Sequence, residues 1–189
     1  MRYSSDQKET TRRRIIDKAG ERFKKDGIVA SGISTLMSDA GLTNGAFYAH
    51  FASKDDLVTT TVAEQLLEEK DRFAAQPGEA TAFERVVRTY LSPGHRDDPA
   101  HGCPSAALLE EISRCTTETR DAYTEGVLTS LAPLAAELDT GDGTNAQVRA
   151  LGIFAVMVGT LQTSRAVTDP AISDAILEQG IKNALSLAK

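Results

Sequence analysis

Apolar residues recur three and four positions apart from one end of this chain to the other, and no stretch sustains the alternation of a strand. A chain patterned this way hides its apolar surface by laying helix on helix. The sequence therefore predicts an all-α fold of about nine helices and no sheet. Asp6 with Glu9 has the form of a capping box and predicts a first helix running to Gly27, with Ile16, Ala19 and Phe23 as its buried stripe. Short helices are expected over residues 33–40 and 44–50, the second capped by Thr43. Ser53 with Asp56 opens a long helix carrying Leu57, Val58, Val62, Leu66 and Phe73, and Gln76, Pro77 and Gly78 stop it.

Phe83, Val86, Val87, Tyr90 and Leu91 then form a clean amphipathic stripe. Residues 92–102 read as a loop, with Pro104 as the first residue of the next helix, whose Leu108, Leu109, Ile112 and Cys115 share a face. A further helix carries Tyr123, Val127, Leu128, Leu131, Leu134 and Leu138, with a kink expected at Pro133. Residues 139–145 are a turn-rich break. Final helices are expected over 146–167 and 171–187, the last begun by Asp169 as cap and Pro170.

With 189 residues, 41% hydrophobic and 25% charged, the chain suits one ordinary domain and excludes wholesale disorder. The longest apolar stretch, residues 150–161, is too short to span a bilayer, and no basic-then-apolar leader opens the chain. Cys103 and Cys115 cannot build a disulfide framework. These features predict a cytoplasmic protein with no membrane partner. Charge is divided unevenly. Residues 1–54 hold ten Lys/Arg against six Asp/Glu, while the remainder is strongly acidic within a net charge of −6. A basic head on an acidic body suggests a polyanion-binding module joined to a domain with another task.

Residues 33–50 form two short helices about a turn containing Gly41, the layout of a helix-turn-helix. The second helix is rich in small residues (Asn44, Gly45, Ala46, Ala49), which let its backbone enter a major groove. Residues 40–51, Ala-Gly-Leu-Thr-Asn-Gly-Ala-Phe-Tyr-Ala-His-Phe, followed by Lys54 and Leu57, resemble the signature of TetR/AcrR-type repressors. Ala19, Phe23 and Gly27 match that family's first helix, so the resemblance covers roughly residues 8–60 in motif. Ser31 and Gly32 stand where the family usually has paired Thr, and Met37 replaces a customary Ala.

The resemblance implies a DNA-binding domain over residues 1–52 and an effector-binding and dimerisation domain over 53–189. It implies a homodimeric regulator, usually a repressor, that binds a near-palindromic duplex operator and needs no cofactor. By position, Ser34, Thr43, Asn44, Gly45, Ala46, Tyr48, Ala49, His50 and Lys54 are the expected DNA-binding residues. Asn44 suits a base edge, because an amide pairs bidentately with adenine. Arg12, Arg13 and Arg14 are either backbone contacts or a solvated face. Phe83, Val86, Tyr90, Leu109, Tyr123, Val127, Phe154 and Met157 are candidate linings of a cavity for a small hydrophobic or aromatic effector, and equally candidates for plain core. Leu151, Phe154, Ala155, Val158 and Gly159, with Ile172, Ile176, Ala184 and Leu185, predict dimerisation through the last two helices.

Enzymatic readings find little support. His95, Asp97, Asp98 and His101 cluster in what reads as a flexible loop, which imposes no metal geometry. The glycines at 141 and 143 lack the preceding strand of a phosphate loop, and no nucleophile motif occurs. An alternative mode of regulation rests on Cys103, placed by Gly102 and Pro104 at a helix N-cap. Partial positive charge there would lower the thiol pKa and make it a redox or electrophile sensor; as a plain residue it is a small apolar filler.

Overall fold

The computed structural model describes residues 2–74, 81–138 and 145–188. Those residues form α1 (Arg2–Asp26), α2 (Ile33–Asp39), a 3-10 helix (Asn44–Ala49), α3 (Lys54–Ala74), α4 (Ala82–Tyr90) and α5 (Pro93–Asp97). A second 3-10 turn (Pro99–His101) precedes α6 (Pro104–Ile112), α7 (Thr117–Glu137), α8 (Ala146–Ala166) and α9 (Pro170–Leu187). No strand occurs among them. The stop signal at Gln76, Pro77 and Gly78 and the turn-rich run 139–144 lie outside the described residues.

Several helix starts follow their expected chemistry. The Asp56 amide donates to Ser53 Oγ at 3.1 Å while the Ala52 amide donates to the Asp56 carboxylate at 2.9 Å, a reciprocal cap for α3. Asp169 Oδ1 accepts from the Ala171 and Ile172 amides, and Pro170 supplies the first turn of α9. Others differ. α1 already runs at Arg2, so Asp6 sits within the helix rather than capping it. Thr43 makes no side-chain cap bond, and the segment behind it winds as a tighter 3-10 helix. Residues 92–102 are not a flexible loop. Ser92 Oγ accepts the His95 amide and Pro93 and Pro99 preset φ, so two short helical turns form there.

Two hydrophobic cores hold the chain together. The first joins Ile15, Ile16, Ala19 and Phe23 of α1 to Leu36, Met37, Phe47 and Phe51. It also recruits Leu57, Val58, Val62 and Leu66 of α3 and Leu108 and Ile112 of α6. The three N-terminal helices, two of them short, expose too much surface to close a core alone, so the first half of α3 completes it. The second core packs Phe73 and α4 against α7, α8 and α9, with Val127, Leu131, Ile153, Phe154, Met157, Leu177 and Ile181 inside. Tyr123 packs against both.

Candidate nucleic-acid interface and ligand cavity

The turn between α2 and the 3-10 helix depends on Gly41, whose φ of +67° favours a residue without Cβ. Leu42 closes it with a 2.8 Å amide bond to the Met37 carbonyl. Beneath, Leu36, Met37 and Phe47 are fully buried on Phe23. With its apolar side committed inward, the segment turns Thr43, Asn44, Gly45, Tyr48 and Ala49 to solvent, and Ser34 of α2 is exposed too. Tyr48 is 70% exposed, its ring standing edge-on to Phe47 at 5.2 Å between centroids. Ala46 and His50 are half-buried. Burial, with Lys8 and Arg12 nearby, lowers the His50 pKa and keeps the ring neutral at physiological pH.

The charged residues of the head are more internally engaged than their sequence positions suggested. Lys54 Nζ donates to the Ile28 carbonyl at 2.5 Å and approaches that of Val29, clamping the end of α1 to the start of α3. Arg12 lies 5.0 Å over the Phe51 ring and 3.6 Å from Glu64. Arg13 pairs with Asp17, Glu64 and Glu68. These two arginines therefore tie α1 to α3 instead of forming an outward basic face. Arg14 is exposed. Arg22 bridges Asp39 and Asp26, fixing α2 on α1 and holding the Asp39 carboxyl below the usual carboxylate range.

In the body, a cavity of about 280 Å³ opens between α3, α4 and the 92–102 turns, lined among others by Glu69, Arg72, Phe73, Val86, Thr89, Tyr90, His95 and His101. Of the residues expected to line a cavity, Val86 and Tyr90 do so. Phe83, Val127, Phe154 and Met157 are packed as core, and Tyr123 is engaged with Ser105 at 3.1 Å. Leu109 is 38% exposed on the outer side of α6, away from the cavity, because its neighbours Leu108 and Ile112 take the buried face. Phe154 is likewise withdrawn from any partner surface by its burial in the second core.

The polar lining was missed in the sequence. Glu69 and Arg72 stand three residues apart on α3, and nothing in their local pattern marks them as a lining. In the fold Glu69 is 4% exposed, and burial raises its pKa against the pull of Arg72 at 3.2 Å. His95 and His101, weighed as metal ligands with Asp97 and Asp98, make other bonds in the fold. His95 Nδ1 bonds the Tyr90 carbonyl at 2.8 Å and Nε2 accepts the Cys103 amide at 3.0 Å, so the ring is the neutral Nδ1–H tautomer. His101 Nδ1 meets the Asp98 carboxylate at 2.9 Å. The Tyr90 hydroxyl is buried, with the Cys103 thiol as its polar neighbour. Cys103 does cap α6, but it is 1% exposed, and burial with Glu69 nearby pushes its thiol up to about 11. Desolvation outweighs the helix terminus, which favours the reading of Cys103 as a small apolar filler over that of an activated thiolate.

Residues 15–60 match the family of bacterial regulatory proteins, tetR family. The transcriptional regulator SrpR of Pseudomonas putida is 31% identical over 94 residues, covering 50% of this chain and 44% of that protein. The regulator AcrR of Shigella flexneri is 29% identical over 83 residues, 40% of this chain and 39% of its own. The matched stretch thus spans less than half the length of these relatives. Across the whole fold, the reduced form of E. coli NemR superposes with a TM-score of 0.75 at 20% identity, covering 93% of this chain and 95% of that one. A transcriptional regulator from Saccharomonospora viridis, in complex with choline, gives 0.71 at 20% identity over 91% and 94%. The signature in the helix-turn-helix, the family match and the all-helical fold agree: residues 15–60 carry the DNA-binding segment of the tetR family of bacterial regulatory proteins, and the chain as a whole shares the fold of TetR/AcrR regulators.

Proposed function

We propose that this protein is a cytoplasmic, non-enzymatic transcriptional regulator, a homodimeric repressor released from duplex DNA by a small effector. The observation that carries the reading is the solvent edge of the recognition segment. Thr43, Asn44, Gly45, Tyr48 and Ala49 are presented together above a core that fixes their backbone. Small side chains beside one amide and one phenol suit a groove lined by phosphates and base edges. DNA contact rests on this edge more than on Lys54, Arg12 or Arg13, whose charges are engaged within the head.

The test is a gel shift on the duplex upstream of the protein's own gene. Asn44→Ala is expected to cost about 1–3 kcal/mol and to relax preference at one base position. Tyr48→Ala is expected to weaken specific and random duplexes alike. Equal binding by wild type and both variants would refute the assignment.

Dimerisation is proposed through the outer faces of α8 and α9. Val148 is 61% and Ile172 53% exposed there, and a Cβ at Gly152 or Gly159 would meet open space. Small residues flanked by exposed aliphatics let two helix pairs close on a two-fold axis. Ile172→Asp is expected to give a monomer in sedimentation at micromolar concentration, with wild type a dimer and loss of operator binding following. A wild-type monomer would refute the dimer.

The effector is proposed to occupy the cavity beside Glu69 and Tyr90. Phe73, Val86 and Tyr90 supply apolar contact, while Glu69, Arg72 and His95 supply polar anchors, so the ligand class is a small amphipathic molecule rather than a purely hydrophobic one. A structural relative crystallised with choline supports a small ligand in a body of this shape. Melting shifts against a small-molecule library test it: wild type should respond to a ligand that Tyr90→Ala no longer recognises.

A further inference from the structure

Residues 98–103 form a strap with two different sides. Toward the cavity, the strap is held by His95, whose ring receives the Cys103 amide and donates to the Tyr90 carbonyl. Its root is pinned to α8 by Arg165, which donates to the carbonyls of His95, Arg96 and Ala106. On the side of the head, the carbonyls of the strap meet α1 and α3. Arg72 of α3 donates to the His101 carbonyl at 3.3 Å. Lys24 of α1 donates Nζ to the Gly102 carbonyl at 2.9 Å, across 78 residues of chain.

Lys24 is an unusual member of α1. Lys25 beside it is exposed, whereas Lys24 is 9% exposed, and burial next to Arg72 pulls its pKa down. Burying an ammonium is costly unless a definite partner compensates it. Its hydrogen-bond acceptor is the Gly102 carbonyl on the wall of the cavity, with the Glu69 and Glu68 carboxylates also acting on its charge. Immediately before Lys24 on α1, Phe23 anchors the core on which the recognition segment lies, and Arg22 holds α2 through Asp39. A displacement of the Gly102 carbonyl must therefore either drag α1 or leave a buried charge without its hydrogen-bond acceptor.

We propose that the 98–103 strap transmits occupancy of the cavity to the DNA-binding head, with Lys24 the positioning residue that couples it to α1. This rests on the reading of the cavity as the effector site. A molecule entering beside His95, His101 and Gly102 moves the strap, and α1 follows through Lys24. Such an effector acts because it binds better to the displaced arrangement.

The link is testable without knowing the effector. A Cβ at Gly102 would lie 2.6 Å from His95 Nε2 and 3.4 Å from Arg165, so Gly102→Ala shifts the strap from within, at a φ of −84° that Ala accepts. Hydrogen exchange of the full-length chain is compared for wild type, Gly102→Ala, Lys24→Met and the double variant. Gly102→Ala is expected to speed exchange of amides 20–28 about tenfold, and to add less than twofold in the Lys24→Met background. Lys24→Arg, which keeps a charged donor, is expected to restore the response. Unchanged exchange in α1, or the same increase with and without Lys24, overturns the proposal. Should Gly102→Ala not fold, His95→Ala loosens the strap from the cavity side with the same two outcomes. Operator binding by the same variants separates the two claims. A wild type that binds no duplex defeats the functional reading, while the exchange cycle still decides the coupling.

Discussion

Phe23→Ala is expected to destabilise the protein by about 3–5 kcal/mol, the cost of removing a large aromatic side chain from a core that cannot collapse around the void. Phe23 is fully buried where α1 meets α2, the 3-10 helix and α3, so the loss falls on the unit that carries the proposed DNA edge. Against a total stability of about 5–15 kcal/mol, that change removes a large share of the margin. Denaturant titration followed by circular dichroism measures it. Leu109→Ala, at a position 38% exposed, is the control and is expected to cost less than about 1 kcal/mol. Comparable losses for the two variants would show that Phe23 does not anchor the head.

The second large effect concerns Cys103. A thiol pushed up to about 11 and 1% exposed holds almost no thiolate at neutral pH. Thiolate is the reactive form, and its fraction falls tenfold each time the pKa rises by one. Alkylation of the folded protein at about neutral pH is therefore expected to be at least about 100-fold slower than that of a free thiol. Cys115 is half exposed and less protected by burial, so it should be modified first. Mass spectrometry of peptides alkylated across pH reads both sites. Because the folded state keeps the Cys103 proton longer than the unfolded chain, the linked contribution to stability is present below pH 9 and fades as pH rises through about 11. Rapid modification of Cys103 at neutral pH would contradict its burial and revive a thiol-based switch.

Sequence alone was enough for the helical class and the solvent-facing edge of the helix-turn-helix, because both depend on local chemistry. Three-and-four spacing places Ile16, Ala19 and Phe23 on one face of α1 whatever lies against them, and Gly41 marks a turn by its own φ preference. Thr43, Asn44 and Tyr48 follow from that turn, since their neighbours Leu42 and Phe47 must point inward. Other properties depend on groups far apart in the chain, and only the tertiary structure decided them. An apolar stripe cannot say whether it meets a cavity, a core or a second copy, so Phe154 and Val86 looked alike until α7 and α9 closed over one and the 92–102 turns left space by the other. A charge cannot declare its partner across 50 or more residues, so only the fold brings Glu64 to Arg13 and the Gly102 carbonyl to Lys24. Nor can a cap position set a thiol's pKa, because desolvation by surrounding helices acts more strongly than the field of one helix end.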